Sequence, residues 1–241
     1  MTNFTQSDVD RLNEAYEGKS AEYILEHVLG EEFEGYQVSA VSSFGTESAV
    51  LLALIADVNP ATDVIFVNTG KLFGETLTYR DTLVKKLGLA HVRTFMPRPA
   101  HLAEADHDGT LWYRQANRCC FIRKVEPLER ALTGVDVWIS GRKSFQAETR
   151  HDMPIFELQD GRLKVNPLAS FSREQINGYF DAYELPRHPL EAQGYPSIGC
   201  MPCTTPVADG EDYRAGRWRN SAKQECGIHL SGDEVRRAAF I

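Results

Sequence analysis

Cysteine is the residue type with the most distinctive spacing in this chain. Cys119 and Cys120 are adjacent, and Cys200 and Cys203 form a C-x-x-C pair eighty residues further on. Thiolates in such a pair can share a metal ion or a cluster, and four thiolates suit a structural zinc or an iron–sulfur cluster. Because neighbouring side chains diverge, the adjacent pair suits one tetrahedral zinc poorly and favours a cluster. The alternative is a C-x-x-C redox pair, with Cys119 and Cys120 as buried apolar residues.

The fifth cysteine, Cys226, stands alone near the C-terminus. His229 lies three residues further on, and Arg217, Arg219 and Lys223 precede it. Nearby cations lower the pKa of a thiol and raise its thiolate fraction, so this cysteine is a candidate nucleophile. The alternative is a tolerated surface residue.

Two loops rich in small and hydroxyl residues could bind an anion. The segment SSFGTES, residues 42–48, is predicted to join a strand to a helix, where backbone N–H groups and the hydroxyls of Ser43, Thr46 and Ser48 form an anion site. It matches neither a Walker A loop nor a dinucleotide fingerprint. The segment VNTGKLF, residues 67–73, ends the next predicted strand, where a nucleotide could be read. The alternative for residues 42–48 is a plain turn with a serine cap, and the alternative for residues 67–73 is a glycine turn.

Basic residues stand among these motifs. Arginine binds phosphate-like oxyanions in a bidentate manner, so a basic group beside the two loops would suit an anionic ligand. The alternative is that these are solvated charges on helices and loops. The residues concerned are Arg123, Lys124, Arg142, Lys143, Arg150, Arg214 and Arg217.

Strands that alternate with helices must position these motifs. The apolar patterns predict strands over residues 36–42, 63–67, 91–95 and 135–140, and a hairpin over 156–165 that turns at Asp160 and Gly161. Helices are predicted over 7–17, 20–29, 47–58, 75–87, 119–132 and 172–183, with caps at Ser7, Ser20 and Ser172 and an interruption at Pro127. This alternation indicates an α/β fold with a doubly wound, mostly parallel sheet, in which ligands bind at the carboxyl ends of strands.

Composition and charge limit the possible functions. The chain has 241 residues, 42% hydrophobic and 25% charged, which is ordinary for a globular protein. Its net charge of −8 argues against general nucleic-acid binding. No apolar run approaches the roughly 18 residues of a membrane span, and the N-terminus lacks a signal-peptide pattern. We therefore expect a soluble cytoplasmic protein, where structural disulfides are rare.

Three regions are expected along the chain. Residues 1–34 form an acidic helical segment, and residues 35–206 form the α/β domain that binds a nucleotide and a cluster. Residues 207–241 form a mobile C-terminal tail that carries Cys226.

Seven segments together resemble the phosphoadenylyl-sulfate/adenylyl-sulfate reductase family of assimilatory sulfate reduction. They occur in the family's order between about residues 38 and 230. The segments are SSFGTESAVLL (42–52), VNTGKLFGET (67–76), CCFIRKVEPLERAL (119–132), KVNPLASFS (164–172), YPSIGCMPCTTPV (195–207), EDYRAGRW (211–218) and ECGIHL (225–230). The resemblance implies an adenine-nucleotide α-hydrolase-like fold, with the first loop a modified pyrophosphatase-type phosphate loop (PP-loop).

The resemblance also implies a site. Cys119, Cys120, Cys200 and Cys203 would ligate one 4Fe–4S cluster, Cys226 would be the nucleophile, and His229 would belong to the catalytic tail. Lys124 would lie near both cluster and substrate. The substrate contacts implied are Ser43, Phe44, Gly45, Thr46, Glu47, Ser48, Thr69, Gly70, Lys124, Arg150, Arg214 and Arg217. No flavin, NAD or Mg is expected, and neither a nucleic acid nor a membrane is expected as a partner.

The implied reaction is reduction of adenosine 5′-phosphosulfate (APS), since family members with the four cluster cysteines mostly use it. The Cys226 thiolate would attack the sulfate sulfur, AMP would leave, and an S-sulfocysteine would form. Thioredoxin or a glutaredoxin would then release sulfite, and we expect the enzyme to be a homo-oligomer. In residues 142–147, RKSFQA departs from the family's twin-basic stretch, although Gln146 and Arg150 are kept.

Three alternatives remain open. The chain could reduce the 3′-phosphorylated substrate, PAPS, or both nucleotides. It could be a PP-loop ATP pyrophosphatase or sulfurtransferase, although Phe44 and Glu47 replace a glycine and the aspartate of that loop. It could also be a binding module stapled by zinc.

Overall fold

The computed structural model describes residues 4–146, 150–219, 223 and 227–229. Its strands are β1 (Val38–Ser42), β2 (Asp63–Val67), β3 (His91–Phe95), β4 (Val137–Ser140), β5 (Phe156–Gln159) and β6 (Arg162–Val165). Its α-helices are α1 (Gln6–Tyr16), α2 (Ala21–Val28), α3 (Ser48–Val58), α4 (Gly74–Leu87), α5 (Pro99–Ala105), α6 (Leu111–Arg114), α7 (Ala116–Cys120), α8 (Glu126–Ala131) and α9 (Arg173–Ala182). A π-helical segment, Phe121–Val125, joins α7 to α8. Within these described residues, none of the helices combines the length and apolar character that a bilayer crossing requires.

The six strands form one sheet in the order β3-β2-β1-β4-β6-β5. All neighbouring pairs are parallel except β5 and β6, which pair antiparallel as a hairpin. The α/β fold with a mostly parallel sheet is thus confirmed. Because the chain runs outward from β1 to β3 and then returns to β4 beside β1, the loops after β1 and β4 diverge at a topological switch point, where such sheets bind ligands.

Both faces of the sheet are covered. Helix α3 presents a continuous apolar run to the larger core, in which Val50, Leu52 and Ile55 are fully buried. On the other face Leu128 and Trp138 belong to a second, smaller core cluster. Such two-sided burial explains why β2 (DVIFV) and β4 (VWIS) are apolar runs rather than alternating patterns.

The first two helices pack on the larger core. Val9 and Leu12 of α1 and Ile24 of α2 are buried in the same cluster as the sheet residues. Asn13 also covers the sheet edge, because its amide donates to the Phe156 carbonyl and accepts from the Phe156 N–H, both at 2.9 Å. This contact satisfies a backbone edge that would otherwise stay open to another strand.

Two of the three predicted helix caps and the predicted hairpin turn occur in the structure. The caps at Ser20 and Ser172 are confirmed, and the hairpin turns at Asp160 (φ 51°) and Gly161 (φ 76°). The predicted cap at Ser7 is wrong, because the cap is Thr5, two residues earlier, whose side chain accepts from the Asp8 N–H.

The helix predicted over residues 119–132 is interrupted, as Pro127 suggested. The Phe121–Val125 segment takes the wider π-helical turn, and Pro127 lies in the first turn of α8, where its missing N–H costs no hydrogen bond. The π-helical segment therefore breaks the run of the helix between the adjacent cysteines and α8.

His188 should make stability depend on pH. It is 1% exposed, its Nδ1 accepts from the Leu190 N–H, and its Nε2 lies 3.1 Å from the Thr76 hydroxyl. Burial lowers the pKa of His188 to about 4. Since the unfolded chain takes up the proton nearer pH 6.5, the stabilising effect of the neutral ring is complete above that pH. It is lost as the pH falls toward 4, by about 3 kcal/mol in total at roughly 1.4 kcal/mol per pKa unit.

The measurement is urea unfolding of the parent chain and a His188→Asn variant between pH 7 and pH 4. We expect the difference in unfolding free energy between them to shrink as the pH falls. A His151→Asn variant is the control, because the His151 side chain is 87% exposed. An unchanged difference across this range would contradict a buried neutral His188.

Candidate functional site

A cavity of about 210 Å³ lies at the carboxyl ends of β1, β2 and β4. It is at the switch point of the sheet, where the sequence analysis expected a ligand. Its lining brings together many of the predicted site residues from separate parts of the chain. Those on the wall are Ser43, Gly45, Thr46, Glu47, Ser48, Thr69, Lys124, Arg150, Arg214 and Arg217.

The loop after β1 forms one side of this cavity. The Gly45 N–H donates to the Ser48 hydroxyl at 2.9 Å, and the Ser48 N–H donates to the Gly45 carbonyl at 3.1 Å, so the loop closes directly onto the N-terminus of α3. Thr46 donates its hydroxyl proton to the Pro196 carbonyl at 2.7 Å, which ties the loop to the segment before Cys200. The positive end of α3 thus meets the cavity, an arrangement that suits an anion.

Phe44 and Gly70 lie off the cavity wall. Phe44 has a left-handed backbone (φ 50°), which turns its side chain into the core against Phe66, and it is 0% exposed. Gly70 (φ 70°) faces Arg123, whose Nη1 would lie 3.4 Å from a Cβ at that position. Arg123 donates to the Thr69 carbonyl at 2.8 Å and so holds the loop after β2 in place.

Six basic side chains and one carboxylate, Glu47, line the described part of the cavity. Arg142 pairs with Glu157, and Lys143 lies 3.2 Å from Glu47. Burial lowers the pKa of Lys143, while Glu47 acts in the opposite direction. The basic excess around the cavity favours an anionic ligand.

Arg217 reaches the cavity through a close approach to the backbone. Its Nη1 donates to the Ile198 carbonyl at 3.1 Å, and its guanidinium lies 4.5 Å from the centre of the Trp218 ring. A Cβ at Gly199 would collide with the Arg217 guanidinium, so any larger residue there would displace this arginine. Gly199 precedes the C-x-x-C pair directly, which couples the arginine to the cysteine segment.

The four cysteines lie around a second, much smaller cavity of about 10 Å³. Cys119, Cys120 and Cys200 are each 7% exposed, Cys203 is half-buried, and all four are free thiols. Burial raises the pKa of Cys119 to about 12 and that of Cys203 to about 11. The segments that carry the two pairs are therefore brought together, although eighty residues separate them.

Lys124 lines both cavities. It lies in the π-helical segment four residues after Cys120. Thr69 also connects the two sites, because it lies on the wall of the larger cavity while its hydroxyl is 3.3 Å from the Cys200 sulfur. The anion cavity and the cysteine pocket thus share a wall.

Cys226 lies outside the described residues, and for His229 only the backbone is described, in the turn Gly227–His229. The next residue after Cys226, Gly227, is buried, and Ile228 lies on the wall of the larger cavity. The Ile228 carbonyl accepts from the Gln159 amide at 3.3 Å, and the turn packs against the π-helical segment. The described chain next to Cys226 is therefore anchored at the cavity.

Several residues on the wall received no role from the sequence. Tyr213 places its hydroxyl 3.5 Å from that of Thr46, and burial raises the pKa of Tyr213. Gln146 contacts both Glu47 and Arg150. Tyr213 stands directly before Arg214, and Gln146 stands four residues before Arg150, so proximity to the basic residues is the signal that could have found them.

The chain is similar to known proteins along most of its length. Residues 37–206 match the model of the phosphoadenosine phosphosulfate reductase domain family. An adenosine 5′-phosphosulfate reductase of Mesorhizobium japonicum is 50% identical over 199 residues, covering 83% of this chain and 78% of that protein. One of Chelativorans sp. is 44% identical over 224 residues, covering 93% of this chain and 91% of that protein. A phosphate complex of phosphoadenylyl-sulfate reductase from Candida auris has a TM-score of 0.69 and 26% identity, covering 84% of this chain and 98% of that one.

Proposed function

The chain belongs to the phosphoadenosine phosphosulfate reductase family, and we propose that it reduces APS to sulfite and AMP. One observation carries the proposal: a cavity with a basic lining adjoins a pocket of four buried cysteines, and Lys124 lines both. Two relatives that are 50% and 44% identical bear the name of an APS reductase, which favours APS over PAPS.

The phosphosulfate of APS would bind among the cations of the cavity. Lys124, Arg150, Arg214 and Arg217 come from three different parts of the chain and all line the cavity. The N-terminus of α3 would add backbone N–H groups from the loop after β1. Such preorganised donors stabilise the charge that develops on the phosphate and sulfate oxygens when the bond between them breaks.

Cys226 would be the nucleophile. Its thiolate attacks the sulfate sulfur, a sulfur–sulfur bond forms, and the bond from that sulfur to the bridging oxygen breaks, so the electron pair leaves on AMP. A dithiol of the thioredoxin or glutaredoxin type then attacks the Cys226 sulfur and displaces sulfite. The second dithiol sulfur then attacks the first, which breaks the mixed disulfide and returns the Cys226 thiolate, so the dithiol supplies both electrons. His229, three residues from Cys226, is proposed to act within the same catalytic segment.

For the four cysteines we propose one 4Fe–4S cluster. The donor set fits, because four free thiols share one pocket beside cationic side chains. Because neighbouring side chains diverge, the adjacent Cys119 and Cys120 suit the separate corners of a cluster better than one tetrahedral zinc. When bound, the cluster would supply electrostatic and structural support to the site rather than electrons.

Loss of one cluster cysteine should remove the cofactor. We expect the anaerobically purified protein to be brown and to contain iron and acid-labile sulfide in equal amounts. A Cys200→Ser variant should lose both, while Met201→Leu should keep them, because the neighbouring Met201 side chain is 57% exposed. Absorbance and metal analysis check this, and a colourless protein with stoichiometric zinc would contradict it.

Comparison of the two nucleotides tests the substrate. Sulfite release is measured with APS and with PAPS at matched concentrations, with thioredoxin and with glutaredoxin as reductants. We expect APS to give the higher kcat/KM. A clear preference for PAPS would assign the chain to the other activity of the family, and pyrophosphate release from ATP would favour an ATP pyrophosphatase.

The location follows from the same chemistry. A reaction that consumes dithiols requires a compartment that keeps thiols reduced, so we propose that the enzyme works in the cytoplasm. We also propose that it forms a homo-oligomer, which sedimentation of the purified protein would test.

A further inference from the structure

A chain of polar contacts lies behind Arg150. Its Nη1 donates to the Oε1 atom of Gln146 at 2.6 Å, and the Nε2 atom of Gln146 donates to Glu47 at 2.7 Å. The Glu47 carboxylate also lies 3.2 Å from the ammonium of Lys143. All four side chains line the larger cavity, and Arg150 is 6% exposed.

The amide of Gln146 satisfies both of its contacts, because it can accept one hydrogen bond and donate another. A guanidinium can only donate, and a carboxylate can only accept. The amide oxygen must therefore face Arg150, while the amide nitrogen faces Glu47. A carboxylate in place of Gln146 would repel Glu47, and an ammonium would repel Arg150.

The contacts also join two loops of the site. Glu47 belongs to the loop after β1, at the start of α3, whereas Gln146 and Arg150 follow β4, which is the neighbour of β1 in the sheet. A shift of either loop would break the 2.7 Å contact between Gln146 and Glu47. The position of Arg150 is thus tied to the anion-binding loop.

Glu47 is poorly suited to touch the phosphosulfate of the substrate directly. APS carries negative charge on both its phosphate and its sulfate, and a carboxylate in contact with them would repel them. Hydrogen bonds to Gln146 and Lys143 account for the position of the Glu47 carboxylate without any substrate contact. The family resemblance placed Glu47 among substrate contacts, and the geometry points to a different role.

We propose that Gln146 and Glu47 are positioning residues: Glu47 orients the Gln146 amide, and that amide fixes the Arg150 guanidinium for the phosphosulfate anion. The inference rests on the proposed function, because it requires Arg150 to bind the substrate. Gln146 would then affect the reaction only through its contact with Arg150.

A double-mutant cycle on APS affinity tests this role. The Kd of APS is measured by calorimetry in a Cys226→Ser background, where no turnover consumes the ligand. Gln146→Leu should weaken binding roughly 10-fold to 100-fold, the range for lost hydrogen bonds to charged groups. In an Arg150→Ala background the same change should have almost no further effect. Gln193→Leu, at an exposed position, is the control and should bind APS as the parent does.

Exchange of the two side chains provides a rescue. Gln146→Glu alone should bind APS weakly, because two carboxylates would meet. Combined with Glu47→Gln it should recover binding to within a few-fold of the parent, since the carboxylate now at position 146 would accept from Arg150 and the amide now at position 47 would donate to that carboxylate. If Gln146→Leu fails to fold, the comparison of Gln146→Glu with the double exchange still tests the proposal.

The outcomes separate the two proposals. If the parent chain does not bind APS, or releases no sulfite from it, the proposed function fails. If the parent binds APS but Gln146→Leu costs the same with and without Arg150, the residue is merely structural and the positioning role is wrong. A double exchange no better than Gln146→Glu alone would also overturn it.

Discussion

A Cys226→Ser variant should release no measurable sulfite from APS, a loss of roughly 10³-fold or more in rate, because serine cannot supply a thiolate near neutral pH. APS affinity should stay within a few-fold of the parent, since the proposed anion contacts come from other residues. The iron content and brown colour should also be unchanged, because this cysteine is not one of the proposed cluster ligands.

Mass spectrometry identifies the step that is lost. Anaerobic parent protein, incubated with APS and no reductant, should gain the mass of SO₃ on the peptide that contains Cys226, and the serine variant should not. Ser221→Ala, in the same segment of the sequence, is the matched control and should form the adduct. Sulfite release by the serine variant would show that another group is the nucleophile.

The described residues after Cys226 give this prediction its structural basis. Ile228 lies on the cavity wall, and the turn Gly227–His229 packs on the π-helical segment that carries Lys124. Cys226 directly precedes this turn in the sequence. The sequence could name the cysteine, but it could not place the following residues at the cavity.

Most of the sheet could be predicted because its signals are local. The strands at residues 63–67 and 91–95 match their predicted limits, and the hairpin at Asp160–Gly161 follows from two residues that accept a left-handed backbone. The cap of the first helix lies two residues before the predicted Ser7, because Thr5 and Asp8 form a capping box. Helix α5 was missed, and its short apolar pattern has no fully buried residue.

The residues of the site could be predicted from the sequence, but the contacts between their side chains could not. The glycine and hydroxyl loops and the basic residues could be named from their types. The contact of Glu47 with Gln146 joins residues 99 positions apart, and no sequence period encodes such a partner. The inward turn of Phe44 depends on a positive φ that a phenylalanine rarely adopts, so a motif match alone could not reveal it.

A second large effect is expected at the buried ion pair between Asp106 and Arg123. Asp106 is 0% and Arg123 8% exposed in their side chains, and two guanidinium nitrogens of Arg123 lie 2.9 and 2.5 Å from one carboxylate oxygen. The other carboxylate oxygen accepts from the Leu111 N–H at 2.8 Å. Removal of one member of such a pair costs about 3–5 kcal/mol, because the other charge stays buried without compensation.

Asp106→Asn should therefore lower the melting temperature by roughly 6–20 °C, at about 2–4 °C per kcal/mol for a chain of this size. Asparagine keeps the acceptor for the Leu111 N–H. The fall in melting temperature therefore reflects mainly the buried charge of Arg123, which has lost its acidic partner. The measurement is thermal unfolding followed by circular dichroism, with the protein kept anaerobic throughout.

The double variant Asp106→Asn/Arg123→Gln separates charge from packing. Two neutral amides can hydrogen-bond to each other and to the Thr69 carbonyl, so the double variant should be more stable than Asp106→Asn alone. A nearby pair supplies the control: Arg114 and Asp108 form contacts of 2.6 and 3.0 Å, but their side chains are 46% and 36% exposed. Asp108→Asn should leave the melting temperature almost unchanged, since exposed pairs contribute little.

The comparison of the two pairs decides what Arg123 does for the site. If Asp106→Asn lowers the melting temperature as little as Asp108→Asn does, burial does not strengthen the Asp106–Arg123 ion pair. The pair would then contribute little to holding the Thr69 loop in place. If only the buried pair responds, and the second neutral substitution restores stability, the charge of Asp106 is what holds Arg123 against the Thr69 carbonyl. The loop after β2, which lines the cavity and contacts Cys200, would then owe its position to an ion pair outside the cavity.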